Sequence, residues 1–321
     1  MVAALPVVPS SSAGAARRIC SGTASGGGHG FIKPCVWAAS SSSCVGDSGR
    51  LRTQGVPAVT SGDKTFESLA QAWNQVAADY ETHFIDPYAA QVNNPLWRWL
   101  ARIPRQHEKT VADLGCGTGP ILPQLACRFA RVIAVDFAPA MLERARQRCW
   151  QFANVEFHHL ALQNLQPLHG GLDVAIAINS LGLPNPAEID RALRQIWHCL
   201  RPGGWFFGIV PAMDAIHYLT MLLLDRALAR GLPLELARKN AAHHACHGEY
   251  DFAFSRFLYR GTQQHFWFAF EVPYRLRRAG FACIRLSKVY IPWEQVCKLK
   301  ELAEYPPTWD WFFVARRPRQ R

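Results

Sequence analysis

The stretch VADLGCGTGP, residues 111–120, constrains the fold of this chain more than any other segment. An apolar, strand-like lead runs up to Asp113, and glycines then follow at Gly115, Gly117 and Gly119. Because glycine has no Cβ, such a turn lets the backbone press closely against another group. The stretch therefore predicts a buried strand, a tight turn that contacts a ligand, and a helix after it.

The charges around this turn indicate what kind of ligand it holds. A phosphate-binding loop needs a lysine after its glycines, and none follows here. A carboxylate such as Asp113 beside a helix N-terminus repels a pyrophosphate and favours a cation. Asp136 closes the next strand, where a carboxylate can accept both hydroxyls of a ribose. We therefore expect an adenosine-sized ligand that carries an ammonium or sulfonium group.

Strand-like and helix-like segments alternate after the turn, which predicts a parallel sheet with helices on both faces. The predicted strands are 111–114, 131–136, 154–160, 172–179 and 205–210, and the helices between them are 121–130, 139–150 and 186–200. Helices are also expected at 66–84 and 95–103, ahead of the first strand. A helix at 272–281 and strands at 283–291 and 309–315 resume the pattern near the end.

Residues 212–270 break this alternation and predict an insertion. Two helices are expected at 213–231 and 232–248, followed by a hairpin within 256–270 that turns at Gly261. The dense aromatic residues of 252–270 are typical either of core packing or of a hydrophobic acceptor pocket under a lid. Arg256 and Arg260 lie among them and could hold an acidic group of an acceptor.

The first 62 residues differ in composition from the rest of the chain. They are rich in serine, glycine and alanine, and Asp47 is their first acidic residue, so we expect disorder. The segment is either an inert tail or an organellar transit peptide, which would place the protein in a plastid or mitochondrion rather than the cytoplasm. The longest apolar run, residues 218–224, is too short for a membrane span, so the sequence predicts a soluble protein.

The net charge of +11 suits an anionic partner, but the two chain ends carry part of the excess, so nucleic acid is an unlikely partner. The ten cysteines form no CxxC pair and are typical of free thiols.

The chain resembles the class I S-adenosylmethionine-dependent methyltransferases. The similar segments are DLGCGTG (113–119), VIAVDFAPAML (132–142), LDVAIAINSL (172–181), LRPGGWFFG (200–208), LRRAGF (276–281) and the closing WDWFFVARRP. The resemblance implies a doubly wound, mostly parallel seven-stranded sheet with an antiparallel last strand. It divides the chain into a tail (1–62), a cofactor-binding core (63–211 and 271–318) and a substrate-binding insertion with a helical and aromatic lid (212–270).

The resemblance also implies a cofactor, S-adenosyl-L-methionine, and residues that hold it. These are Tyr80 of the N-terminal helix, Asp113, Gly115, Gly117, Gly119, Asp136 with its neighbour Phe137, and Asn179 and Ser180 at the end of the fourth strand. As alternatives, Asp113 could cap a helix, and Asp136, Asn179 and Ser180 could be turn formers. Where many relatives place an aspartate on the adenine amine, this chain has Leu160, so Gln163, Asn164 or a backbone carbonyl would take over that contact.

Histidines are the candidate acid–base groups. His217 or His243 could act as a general base, because imidazole titrates near neutral pH. His243 and His247 lie four residues apart, as zinc ligands can, but no third ligand is evident and we expect no metal site.

The sequence thus predicts a methyltransferase for a small molecule that is hydrophobic or carries an acidic group. The alternatives are a nucleic-acid methyltransferase, although NSLG replaces the NPPY-like motif of enzymes that act on exocyclic amines, or a binding protein without catalysis. The oligomeric state is not predicted.

Overall fold

The computed structural model describes residues 70–71, 73–75, 77, 85–246, 250–251, 255–259, 262–296 and 299–319. The predicted tail and Tyr80 lie outside these residues. The strands are β1 (Thr110–Leu114), β2 (Arg131–Asp136), β3 (Val155–His159), β4 (Leu172–Ile178), β5 (Leu200–Pro211), β6 (Tyr250–Asp251), β7 (Arg256–Tyr259), β8 (Thr262–His265), β9 (Ala282–Ile291) and β10 (Thr308–Arg316). The α-helices are α1 (Leu96–Leu100), α2 (Leu122–Ala126), α3 (Pro139–Arg148), α4 (Pro186–Cys199), α5 (Met213–Ala229), α6 (Leu234–Cys246), α7 (Glu271–Arg278) and α8 (Trp293–Val296).

Seven strands form the central sheet in the order β3-β2-β1-β4-β5-β10-β9. The first five strands in this order are parallel to one another, and β10 runs antiparallel to both β5 and β9. The predicted fold class is therefore confirmed. The order reverses between β1 and β4, and in open sheets of this type ligands bind at the carboxyl ends of the strands beside such a reversal.

The middle of the sheet, β1, β2 and β4, is buried on both faces, which explains why these strands are continuous apolar runs rather than alternating ones. All five residues of β1 are buried. Val111 packs on one face with Leu122 of α2 and Leu142 of α3. Leu114 packs on the other face with Leu193 of α4. The strand ends are therefore held rigidly, and so are the side chains placed there.

The insertion after β5 contains the two predicted helices, α5 and α6, which pack against each other. The predicted hairpin is present as the antiparallel pair β7 and β8, while Gly261 lies outside the described residues. The two-residue strand β6, which extends this small sheet, was not predicted. Phe266 and Trp267 are each only 1% exposed, so this part of the aromatic stretch is core.

The start of β5 differs from its predicted position. The sequence RPGG was expected to separate α4 from a strand that starts at residue 205, but β5 begins directly after α4 at Leu200. The glycines allow this early start because Gly203 adopts a positive φ of 82°.

Candidate active site

The glycine turn joins β1 to α2 with three left-handed residues: φ is 79° at Gly115, 53° at Gly117 and 75° at Gly119. Two of these glycines are also required by packing. A Cβ on Gly115 would lie 2.3 Å from the Cβ of Ser180, and one on Gly119 would lie 3.0 Å from the Cβ of Ala145. A Cβ on Gly117 would meet no atom within 4 Å. The space beside Gly117 is therefore open, as a ligand site requires.

Asp136 ties the second strand to this turn. Its carboxylate accepts hydrogen bonds from the backbone N–H of Gly117 and from that of Ala138, each at 2.9 Å. Burial raises the pKa of Asp136, although these backbone amides act to lower it. Each carboxylate oxygen has more than one lone-pair site, so both can still accept a hydroxyl from a ligand.

Asp113 is 3% exposed at the end of β1, the central strand of the site. Burial raises the pKa of Asp113 to about 7, and the negative charge of Asp136 contributes to this rise. Among the described residues, no arginine or lysine forms an ion pair with either carboxyl group. Two buried acids without a cation favour the binding of a positively charged ligand and disfavour a phosphate.

Asn179 and Ser180 follow β4 and lie at the carboxyl edge of the sheet, but their side chains have different roles. Asn179 is exposed and adopts a left-handed φ of 53°, which is uncommon for a residue other than glycine. The Ser180 hydroxyl donates to the carbonyl oxygen of Leu114 at 2.6 Å. Ser180 therefore stabilises the glycine turn through β1, whereas Asn179 presents its side chain at the edge.

Asp310 is a residue of this edge that the sequence analysis missed. It pairs in register with Pro211 at the end of β5 and is 1% exposed. Burial raises the pKa of Asp310 to about 7, against smaller lowering effects of the Ala212 amide and the Asn179 side chain. Neither group has the geometry of a hydrogen bond, so both carboxyl oxygens lack a partner among the described residues. The available signal was a lone acid inside the apolar run WDWFFVA.

The loop after β3 shows which of the proposed adenine contacts is available. Asn164 accepts a hydrogen bond from Arg191 at 3.1 Å. Gln163 is 5% exposed, and its Nε2 has no hydrogen-bond partner among the described residues. Burial of an unpaired amide is costly, which is a reason to expect a ligand beside Gln163.

Phe137 directly follows Asp136 and is half-buried, and its carbonyl oxygen lies 2.9 Å from Nε2 of His159.

Of the two candidate bases, His217 is half-buried near the start of α5, with its ring 5.8 Å from that of Phe268. His243 is exposed near the end of α6. The structure thus places His217 four residues after the first residue of α5, close to the carboxyl end of β5. His247 lies outside the described residues.

A buried ionic network was also missed. His265 is 2% exposed, and its Nε2 lies 2.9 Å from both carboxylate oxygens of Glu271. Arg275 bonds to Glu271 at 2.5 Å and to Asp190 at 2.9 Å. Burial acts to raise the pKa of Glu271, but the contacts with His265 and Arg275 lower it overall. The network fixes the start of α7 to the insertion and to α4.

Among the described residues, no group of three or more His, Cys, Asp or Glu side chains has the arrangement of a metal site. No helix in this part of the chain combines the length and the apolar character needed to cross a membrane.

Parts of this chain are similar to known methyltransferases. A family model described as a methyltransferase domain matches residues 111–204. Trans-aconitate 2-methyltransferase of Deinococcus radiodurans is 38% identical over 115 residues, which cover 35% of this chain and 42% of that protein. Ubiquinone biosynthesis O-methyltransferase of Aromatoleum aromaticum is 27% identical over 146 residues, which cover 44% of this chain and 58% of that protein.

The matched stretches thus span about half the length of these curated relatives. Among solved structures, the [4+2]-cyclase SpnF matches with a TM-score of 0.55 and 18% identity, over 80% of this chain and 98% of that one, and it supports the fold alone. The matched segment, 111–204, begins in the first strand and contains the glycine turn, Asp136 and Asn179. Together with the sheet order, this match confirms the resemblance noted in the sequence for the segment that carries the glycine turn: residues 111–204 are similar to a methyltransferase domain.

Proposed function

We propose that the chain transfers a methyl group from S-adenosylmethionine to a small-molecule acceptor. The buried pair Asp113 and Asp136 is the observation that carries the proposal, because it suits an adenosyl ligand with a positive charge. The two relatives described above are named for trans-aconitate and for ubiquinone biosynthesis, both small molecules, which supports a small acceptor here.

In this proposal the two acids hold different parts of the cofactor. Asp113 faces the ammonium group, since a cation would offset the cost of burying its carboxylate. Asp136 accepts the ribose hydroxyls with the lone pairs that its two backbone amides leave unused. Gly117 donates its backbone N–H to Asp136 and leaves room for the ligand.

Gln163 recognises the adenine edge in place of the missing aspartate at Leu160. Its buried Nε2 is unpaired among the described residues and would donate to a ring nitrogen of adenine. Asn164 is the weaker candidate, because its side-chain oxygen already accepts from Arg191.

The reaction asks for positioning more than for acid–base chemistry. When bound, S-adenosylmethionine supplies a methyl carbon that its sulfonium makes electrophilic. The chain must then align the acceptor and exclude water. Asn179 is placed to orient the acceptor because it is exposed at the end of β4. Asp310 lies behind Asn179 and, with its pKa of about 7, can keep or release a proton near neutral pH.

Cofactor binding is tested by a matched pair of glycine variants. Gly117→Ala and Gly170→Ala both place a Cβ at a positive φ, 53° and 68°, and neither Cβ meets an atom within 4 Å. We expect each to lose a similar stability of about 1 kcal/mol. Calorimetry with S-adenosylmethionine should show at least about tenfold weaker binding for Gly117→Ala alone. Equal affinity in the two variants would contradict the assigned site.

Catalysis and acceptor class are tested separately. Extracts of small metabolites are incubated with the full chain and S-adenosylmethionine carrying an isotopically labelled methyl group, and labelled products are identified by mass spectrometry. One labelled small molecule is the expected result. Label found only in nucleic acid would favour the nucleic-acid methyltransferase, and binding without any labelled product would favour a protein without catalysis.

A further inference from the structure

A pocket of about 270 Å³ lies at the opposite edge of the sheet from the candidate active site. We call it the amino-edge pocket, because it adjoins the first residues of β1, β4 and β5 and the last residue of β10. Its charged lining consists of Arg105, Lys109, Asp173, Arg201, Arg316 and Arg319. Five cations thus surround one carboxylate.

The single acid of this pocket is already fully engaged. Asp173 accepts a hydrogen bond from the backbone N–H of Thr110 at 2.9 Å and one from Arg201 at 2.7 Å. The ammonium nitrogen of Lys109 lies 3.8 Å from the other carboxylate oxygen of Asp173. Asp173 is therefore accounted for by β1 and by two of the cations. Arg105 pairs with Glu108 at 3.3 Å, which leaves Arg316 and Arg319 as the uncompensated arginines of the lining.

Arg316 and Arg319 have no carboxylate partner among the described residues. The Arg316 guanidinium lies over the Trp205 ring, 4.1 Å from its centre, and donates to the carbonyl oxygen of Gly203. Arg319 folds back over the same turn, where a Cβ on Gly203 would be 3.2 Å from its Cγ. Burial, and then the charge of Arg319, lower the pKa of Arg316. Two cations are thus held near each other without an anion.

We propose that the amino-edge pocket binds the phosphate group of a small molecule. Guanidinium groups bind phosphate oxygens through paired N–H donors, and stacking on Trp205 holds Arg316 ready to do so. A bound dianion would remove the repulsion between Arg316 and Arg319. A volume of about 270 Å³ suits a compact ligand better than the extended backbone of a nucleic acid.

This site is independent of the proposed methyl transfer. The five residues of β1 separate it from the glycine turn, a span of about 16 Å at roughly 3.3 Å per residue. The two edges also differ in charge, since Asp113 and Asp136 repel the anion that the amino-edge pocket attracts. Failure of either proposal therefore leaves the other standing.

The test uses the full chain with inorganic phosphate and pyrophosphate as probes, at an ionic strength kept constant with sodium chloride. Affinity is measured by calorimetry, and Tm is followed over the same titration. Arg316→Gln is compared with Arg238→Gln, which removes the same charge from an exposed residue of α6 that pairs with Glu235. The far-UV circular dichroism spectrum and the urea unfolding curve of each variant check the fold.

We expect pyrophosphate to bind and to raise Tm beyond the sodium chloride control. Arg316→Gln should weaken pyrophosphate binding at least about tenfold, whereas Arg238→Gln should leave it unchanged, and both variants should keep the circular dichroism spectrum of the wild type. No binding at matched ionic strength, or equal weakening in both variants, would overturn the proposal. So would binding that is confined to a duplex oligonucleotide, because that would point to a polyanion surface instead.

Discussion

Replacing Asp310 by asparagine tests whether a buried, protonated acid stands behind the acceptor edge. Burial raises the pKa of Asp310 from 3.8 to about 7, so the folded state holds its proton more tightly than the unfolded state. This contribution to stability is complete below the unfolded pKa and is lost as pH rises through the folded pKa. The loss is about 1.4 kcal/mol per pH unit in this window, or about 4 kcal/mol in all.

The amide side chain of the Asp310→Asn variant does not ionise, so the variant should escape this loss. Urea unfolding at several pH values gives the free energy of unfolding of both proteins. As the pH rises from 5 to 8, the free energy of unfolding of the variant should increase relative to that of the wild type by about 2 to 3 kcal/mol. Asp113 and Asp136 titrate in both proteins, so their contributions cancel in the difference.

Glu156→Gln serves as the control of opposite sign. The hydrogen bonds from Arg131 lower the pKa of Glu156, so its contribution is present above its unfolded pKa and is lost only as pH falls below that value. The difference in free energy of unfolding between Glu156→Gln and the wild type should therefore stay constant between pH 5 and pH 8. A flat difference for Asp310→Asn as well would refute the raised pKa, and with it the proton that we place behind Asn179.

Three further predictions concern the turn and the ionic network. At pH 7, S-adenosylmethionine should release about half a proton from Asp113 on binding, because the ammonium group favours the ionised carboxylate. Calorimetry in buffers of different ionisation enthalpy measures the number of protons released. The same release from the Asp113→Asn variant would assign the proton to another group. Gly115→Ala should destabilise the protein by about 1 to 3 kcal/mol more than Gly170→Ala in urea, because only the first Cβ clashes; equal losses would contradict the packing. Glu271→Gln should lower the free energy of unfolding by about 3 to 5 kcal/mol, whereas Glu301→Gln, which breaks an exposed ion pair, should lower it by at most about 1 kcal/mol. Similar losses in the two variants would argue against a buried network.

The central sheet was largely predictable because buried parallel strands leave a strong local signal. Strand β2 matches its predicted range, 131–136, residue for residue, since an apolar run is closed there by Asp136. The glycine turn was predictable for the same reason: a positive φ restricts the residue type strongly. These features are set by neighbours in the sequence.

Features set by distant residues were not predictable in this way. The Ser180 side chain had to be offered as a ligand contact because its partner, the Leu114 carbonyl, lies 66 residues earlier. The buried ionic network was missed because Arg275 joins Glu271 to Asp190, which lies 85 residues before Arg275. Asp310 is visible in the sequence as a lone acid of an apolar run, but its place at the carboxyl edge follows from the sheet order, which pairs it with Pro211.

The ends of β1 show how one fold can separate ligands of opposite charge. Lys109 precedes the strand and adjoins the amino-edge pocket, while Asp113 lies near its other end at the glycine turn. Because parallel strands share one direction, basic residues before their starts and acidic residues at their ends collect at opposite edges of the sheet. The net charge of +11 is therefore a poor guide to the ligand at the carboxyl edge, where Asp113, Asp136 and Asp310 are all buried. A cationic cofactor and a phosphate-bearing ligand can then bind the same sheet without competing.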